Sequence, residues 1–189
     1  MRLVLASASP RRRELLAQLG ITDVLVAPMD VDETANKNEL PLPYVKRVAL
    51  LKAAAAVRQY PDDVVLTADT VVAAGRRMLP KAETAEQVRE CLNLLSGRRH
   101  KVLTAVAVSF AGKTRLKISE NVVKMQHLSA SDIDSYAASC EGIGKAGGYT
   151  LQGRAAGFIS WLSGSPSGII GLPLHETALM LETYCFQAS

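Results

Sequence analysis

The apolar and polar positions of this chain fall into blocks whose period changes repeatedly. Residues 2–6, "RLVLA", form a short apolar run that reads as a buried strand. The run breaks at "SASPRRRELLAQLG", residues 7–20. There Ser9 suits a helix N-cap, Pro10 the first helical position and Gly20 the stop. Arg12, Leu15, Leu16 and Leu19 share an i, i+3, i+4, i+7 stripe, which predicts a helix with Arg12 at the open end of its buried face. "DVLVAP", residues 23–28, predicts a second strand, and an acidic loop follows to about residue 40. Residues 43–60, "PYVKRVALLKAAAAVRQY", are rich in strong helix formers and predict a long helix.

Further on, "VVLTADTVVAA", residues 64–74, is β-branched and predicts a central strand. "ETAEQVRECLNLLSG", residues 83–97, reads as an amphipathic helix stopped by Gly97. "KVLTAVAVSF" and "TRLKISENVVKMQH" flank the turn "AGKT" and predict an antiparallel hairpin. Ser129 and Asp132 make a capping pattern at a short helix. Residues 141–171 are Gly-rich and read as loop around one short strand, "GFISWL"; "PLHETALMLETY" predicts a closing helix opened by Pro173. Interleaved strands and helices, without repeats or linkers, imply an α/β fold: a mixed central sheet flanked by helices, in one domain over residues 1–189.

Composition narrows the class. With 48% hydrophobic and 21% charged residues the chain is globular. No apolar run reaches about 18 residues, so no membrane span is expected. Ser-Pro-Arg-Arg-Arg cuts off the first apolar stretch, which excludes a signal peptide. Cys91, Cys140 and Cys185 are few, odd in number and far apart, which fits free thiols in a reducing cytoplasm. The net charge of +4 is unevenly spread. Arg2, Arg11, Arg12 and Arg13 cluster near the start, and Arg98, Arg99 and Lys101 further on; Asp30, Asp32, Glu33 and Glu39 form an acidic stretch. Basic patches beside an acidic one fit a metal–phosphate site better than a nucleic-acid surface. The 5% aromatic content offers no stacking platform for single strands.

The informative residues are polar ones where apolar ones belong. Arginines at a helix N-terminus oppose its partial positive charge, a tension that a bound anion relieves. Arg12 and Arg11 border the buried face and suit bidentate phosphate binding; a solvated basic turn is the bland alternative. Arg13 points away. Asp69 interrupts a buried strand, where a carboxylate needs a partner, a metal or backbone donors at a bulge. Lys52 lies on a stripe with Val45, Ala49 and Ala56, and either snorkels to water or meets an anion. Glu33 is either a ligand for a hard cation or a solvated carboxylate, and Lys81 says little alone. His100, His127 and His175 lack metal-ligand spacing. Neither a P-loop nor a Gly-x-Ser-x-Gly elbow is present.

In combination, "LASASPRRRELL", "VDET", Lys52, "ADTVV", Lys81, "LSGRRHKVLTAVAV", "KAGGYTLQG" and "GSPSGIIGLPLHET" resemble the Maf family of nucleoside triphosphate pyrophosphatases over nearly the whole chain. The resemblance implies the inosine triphosphate pyrophosphatase-like fold, a long mixed sheet with two lobes around a cleft. It implies Asp69 as the group that activates water. Ser9, Arg12, Lys52 and Lys81 would hold the triphosphate, and Glu33 with Asp69 a divalent cation, Mg2+ or Mn2+. Arg11, Thr70 and Gln152 match the branch that prefers dTTP and UTP over 7-methyl-GTP. A homodimer is implied, with no membrane and no stable nucleic-acid partner. The alternatives are a pyrophosphatase of broader or modified nucleotides and a non-catalytic regulator of septum formation. Pro80-Lys81-Ala82, Pro166 and Gly168 depart from the family's usual pattern.

Overall fold

The computed structural model describes residues 1–184 and 186; Cys185 lies outside the described residues. Among the described residues seven strands form one mixed sheet. The strands are β1 (Leu3–Leu5), β2 (Val24–Val26), β3 (Val64–Ala74), β4 (Arg77–Leu79), β5 (Arg99–Phe110), β6 (Lys113–Met125) and β7 (Ile159–Ser163). Their order is β2-β1-β3-β5-β6-β7, with β4 also on β3. β1 runs parallel to β2 and β3, and every other pairing is antiparallel. The β5–β6 hairpin closes through Ala111 and Gly112, both at positive φ, as a two-residue turn requires.

Among the described residues six helices cover the sheet: α1 (Pro10–Gln18), α2 (Pro41–Gln59), α3 (Ala85–Leu95), α4 (Ala130–Ala138), α5 (Pro166–Ile170) and α6 (Leu174–Glu182). The long helix starts two residues earlier than expected, with Pro41 in its first turn. The first N–H groups of a helix have no intrahelical partner, so Pro41 and Pro43 are tolerated there. The capping box of Ser129 and Asp132 opens α4 as predicted. Three elements differ from the sequence reading. A short strand, β4, follows the Gly75 turn, and the stretch read as loop holds a 3-10 turn at Arg154–Phe158 and the helix α5.

Strand alternation assigns the two faces. Val65 and Val71 of β3, with Leu103 and Ala105 of β5, face α2. The other face carries two separate apolar clusters. Val64, Leu66, Val106 and Val108 pack against α1 and α6 at one end. Val72 and Val102 pack with α3 and α4 at the other. Thr70 and Thr104 sit opposite each other in register, between the two clusters. The edge of β3 is divided in the same way: β1 pairs with Val64–Leu66 and β4 with Val72–Ala74. Residues 67–71 have no strand on that edge among the described residues, and this gap is the cleft between the lobes.

Candidate active site

β1 delivers the chain to the cleft and α1 leaves it, so the loop between them and the helix N-terminus line the opening. Ser9 holds the N-cap position as the sequence predicts, but its side chain makes no capping bond. Ser7 supplies the local order instead. It is buried, and its Oγ accepts the Ser9 N–H at 3.2 Å and an Arg12 Nη1–H at 2.8 Å.

Arg12 is held on three sides. Its Nε donates to Gly171 O at 2.8 Å, Nη1 to Ser7 Oγ and Nη2 to Thr70 Oγ1 at 3.3 Å. These bonds use three of the five guanidinium N–H groups and leave one on each Nη for a ligand. Burial lowers its pKa, against the pull of the Asp69 and Glu33 carboxylates. Arg11 donates to Thr150 Oγ1 at 3.0 Å, and burial lowers its pKa as well. Neither arginine has a salt-bridge partner among the described residues.

The opposite wall is an ion-paired chain. Lys52, on the α2 face that meets the sheet, places Nζ 2.8 Å from Asp69 Oδ1 and 2.8 Å from Glu33 Oε1. Glu33 Oε2 is 3.5 Å from Lys81 Nζ. Burial pushes the Glu33 carboxyl up, but Lys52 and Lys81 outweigh it and hold its pKa below the ordinary value. Lys81 forms an isolated antiparallel bridge with Ala146, which ties the β4 lip to the 144–150 segment. Gly147 adopts φ +69, and a Cβ there would lie 2.8 Å from a Val72 methyl, so only glycine lets the backbone lie this close.

The cavity between these walls measures about 320 Å³. Five cationic side chains line it, Arg11, Arg12, Lys52, Lys81 and Lys145, against the carboxylates of Glu33 and Asp69. Such a cavity suits a small polyanion.

The Maf-like protein family model matches residues 2–184. The chain belongs to the Maf family. It is 54% identical over 180 residues to the dTTP/UTP pyrophosphatase of Zymomonas mobilis, covering 95% of this chain and 89% of the relative. It is 53% identical to that of Cereibacter sphaeroides, covering 96% and 94%. Among solved structures, a nucleoside-triphosphatase / dITP/XTP pyrophosphatase of Mycobacterium abscessus aligns with TM-score 0.46 and 15% identity over 69% of this chain and 77% of that one, a likeness too distant to add to the assignment.

The Maf pocket gathers most of the residues singled out in the sequence: Ser9, Arg11, Arg12, Glu33, Lys52, Asp69, Thr70 and Lys81 all line it. The open question about Lys52 is decided, since it is buried and pairs with two carboxylates. Gln152 is the exception. It is exposed and does not line the cavity; its backbone N–H donates to Thr150 Oγ1 at 3.4 Å. Ser7, Lys145 and Thr150 were missed. Lys145 precedes the glycine pair Gly147-Gly148, and that pair was the available signal of a close backbone approach. Burial and the neighbouring Arg11 lower the Lys145 pKa.

For a divalent cation the donor set is partial. Glu33 and Asp69 converge on one ammonium, which brings their carboxylates together, and no bond to Asp69 Oδ2 is seen. No group of three or more His, Cys, Asp or Glu converges among the described residues. Two carboxylates fit Mg2+ when phosphate oxygens and water complete the shell, as is usual for that ion.

Proposed function

We propose that this chain hydrolyses nucleoside triphosphates between the α and β phosphates, with dTTP and UTP as substrates, releasing the nucleoside monophosphate and pyrophosphate. The observation that carries the reading is the unpaired guanidinium of Arg12, fastened by three neutral acceptors beside Arg11 and Lys145 and facing the Lys52–Asp69–Glu33 chain across the cavity. A triphosphate carries about four negative charges, and fixed cations stabilise the charge that collects on the leaving pyrophosphate. The dTTP/UTP pyrophosphatases above, similar over nearly their full length, support the substrate class.

In this reading Arg12, Lys52, Lys81, Lys145 and the Ser9 hydroxyl bind the phosphates. Asp69 accepts the proton of the attacking water. Glu33 and Asp69 are the residues that would hold Mg2+ or Mn2+, which when bound neutralises phosphate charge and lowers the pKa of water. Lys52 holds both carboxylates in position until substrate arrives and then has phosphate oxygens within its reach. Arg11 and Gln152 act at the rim, where Gln152 would have to turn inward to meet a base. No helix among the described residues is long and apolar enough to cross a membrane. A cytoplasmic role in nucleotide housecleaning belongs to the reading. A homodimer and a role in septum formation belong to the same reading.

The test is pyrophosphate release from a panel of dTTP, UTP, CTP, GTP, ATP and 7-methyl-GTP with Mg2+ or Mn2+. Turnover of dTTP and UTP that falls at least about 100-fold in Asp69→Asn is expected. Folded protein that releases pyrophosphate from none of them overturns the reading.

A further inference from the structure

Glu33 reaches the pocket from a stretch of chain that has no regular structure of its own. Residues 27–40 form neither helix nor strand. The Glu33 carboxylate nevertheless meets lysines from two different parts of the fold, Lys52 of α2 at 2.8 Å and Lys81 after β4 at 3.5 Å. A long, flexible side chain holds such a point only when the backbone beneath it is fixed.

Arg47, on the same helix as Lys52, supplies that fixing. Its guanidinium makes a bidentate pair with Glu39, Nε to Oε1 at 2.8 Å and Nη2 to Oε2 at 2.7 Å. Nη2 also donates to Thr34 O at 2.9 Å. The Tyr44 ring backs the guanidinium, with its centre 5.6 Å from the Arg47 Cζ. The Arg47 and Glu39 side chains are 27% and 8% exposed, so this is not one of the loose surface pairs that contribute little. Glu39 Oε2 accepts the Asn36 N–H at 2.9 Å, and the Glu39 N–H returns to Asn36 O at 3.0 Å. On the other flank Asp32 Oδ1 accepts the Thr34 N–H at 2.8 Å, which closes a turn around Glu33. Glu33 thus sits in a turn whose entry is held by Asp32 and whose exit carbonyl is held by Arg47. Among the described residues, the only other side chains that reach residues 28–40 from outside with a polar contact are Lys52 and Lys81, both at Glu33 itself.

We propose that Arg47 is a positioning residue that acts through Glu33: clamped to Glu39 and to Thr34 O, it pins the 28–40 segment to α2 and so sets where the Glu33 carboxylate stands beside Asp69. This rests on the nucleotide reading above and deepens it. Asp69 belongs to β3 and is placed by the sheet, whereas Glu33 has no such frame. α2 provides one from two directions, through Lys52 at the carboxylate and through Arg47 at the backbone. Removal of Arg47 leaves Asp69 and Lys52 paired and lets Glu33 drift from both. The spacing of the two carboxylates is then lost, and with it the grip on a divalent cation shared between them. The phosphate-binding groups Arg12 and Lys145 belong to other elements and keep their places.

The experiment compares wild type, Arg47→Met and Arg47→Lys, each with Glu33 intact and as Glu33→Gln. It records kcat and KM for UTP over a range of Mg2+ concentrations, and amide hydrogen exchange in metal-free, nucleotide-free buffer. Arg47→Met is expected to lower kcat about 30-fold and raise the half-saturating Mg2+ about tenfold, while KM for UTP at saturating Mg2+ changes less than about threefold. In the Glu33→Gln chain the same substitution should change kcat less than about threefold, because the group it places is already gone. A merely structural role would give the same factor in both chains. Exchange should quicken about tenfold over residues 32–36 and stay unchanged in β3. Arg47→Lys keeps the charge without the fork, so it shows the same pattern with smaller losses and serves as the test if Arg47→Met fails to fold. Wild-type kcat and Mg2+ dependence in folded variants, equal losses with and without Glu33, or unchanged exchange over 32–36 overturns the proposal. Faster exchange confined to 32–36, in a protein whose wild type releases no pyrophosphate, leaves the placement of Glu33 standing and overturns the hydrolytic reading instead.

Discussion

Lys52 Nζ lies 2.8 Å from Asp69 Oδ1 at a point where both side chains are almost wholly withdrawn from solvent. An ammonium and a carboxylate buried together are tolerable only as a pair. Removing the cation alone leaves Asp69 charged in the sheet. Lys52→Met is expected to cost about 3–5 kcal/mol. Urea unfolding checks the number. Adding Asp69→Leu to the same chain should recover most of the loss, because the remaining carboxylate, Glu33, is part-exposed and keeps Lys81.

Arg12 acts through geometry as well as charge. A lysine keeps the charge but cannot reach Gly171 O, Ser7 Oγ and Thr70 Oγ1 from one plane. Arg12→Lys is expected to lower kcat/KM for UTP about 100-fold. The exposed Arg13 serves as control, and Arg13→Lys should leave the rate unchanged.

His100 supplies an acid-sensitive component of stability. Its imidazole is buried beside Tyr149, with Nε2 2.7 Å from the phenolic oxygen and Nδ1 without a partner. Burial pushes its pKa down from 6.5 to about 4. The unfolded chain therefore binds the proton first as pH falls. Stability should decline between pH 6.5 and 4 and be unaffected by this group below that. The difference corresponds to about 3 kcal/mol. Urea midpoints measured across this window should slope more steeply for wild type than for His100→Gln.

Gly147 carries the approach of the 144–150 segment to β3. An alanine there combines a positive φ with a Cβ 2.8 Å from Val72. Gly147→Ala is expected to destabilise the chain by about 2 kcal/mol or more and to raise KM by shifting Lys145 and Thr150. Thermal unfolding together with UTP kinetics separates the two effects.

Long periodic segments were legible because each carries its own evidence. α2 and β5–β6 repeat their patterns over many residues, and the predicted elements agree with them to within two residues at most ends. β4 and α5, with 3 and 5 residues, are too short to show a period. Ser9 looked like a cap by composition, yet the hydroxyl that organises the loop belongs to Ser7, which the local pattern marks no more strongly than its neighbours.

The sequence by itself determined the longer elements and most of the charged set. Arg12, Lys52 and Asp69 interrupt apolar stripes, and burial of a charge is too costly to occur without a partner or a ligand. Which partner each one finds was decided by the tertiary structure alone. Lys52 meets Asp69 across 17 residues, while Arg12 meets Gly171 across 159 and no carboxylate. The hydrogen-bonded chain from Arg12 through Thr70 and Thr104 to Gly168 and the cleft between β1 and β4 are of the same kind. They arise from strand register and from the docking of α5 onto the sheet, and long-range pairing of this sort leaves no periodic trace in the chain.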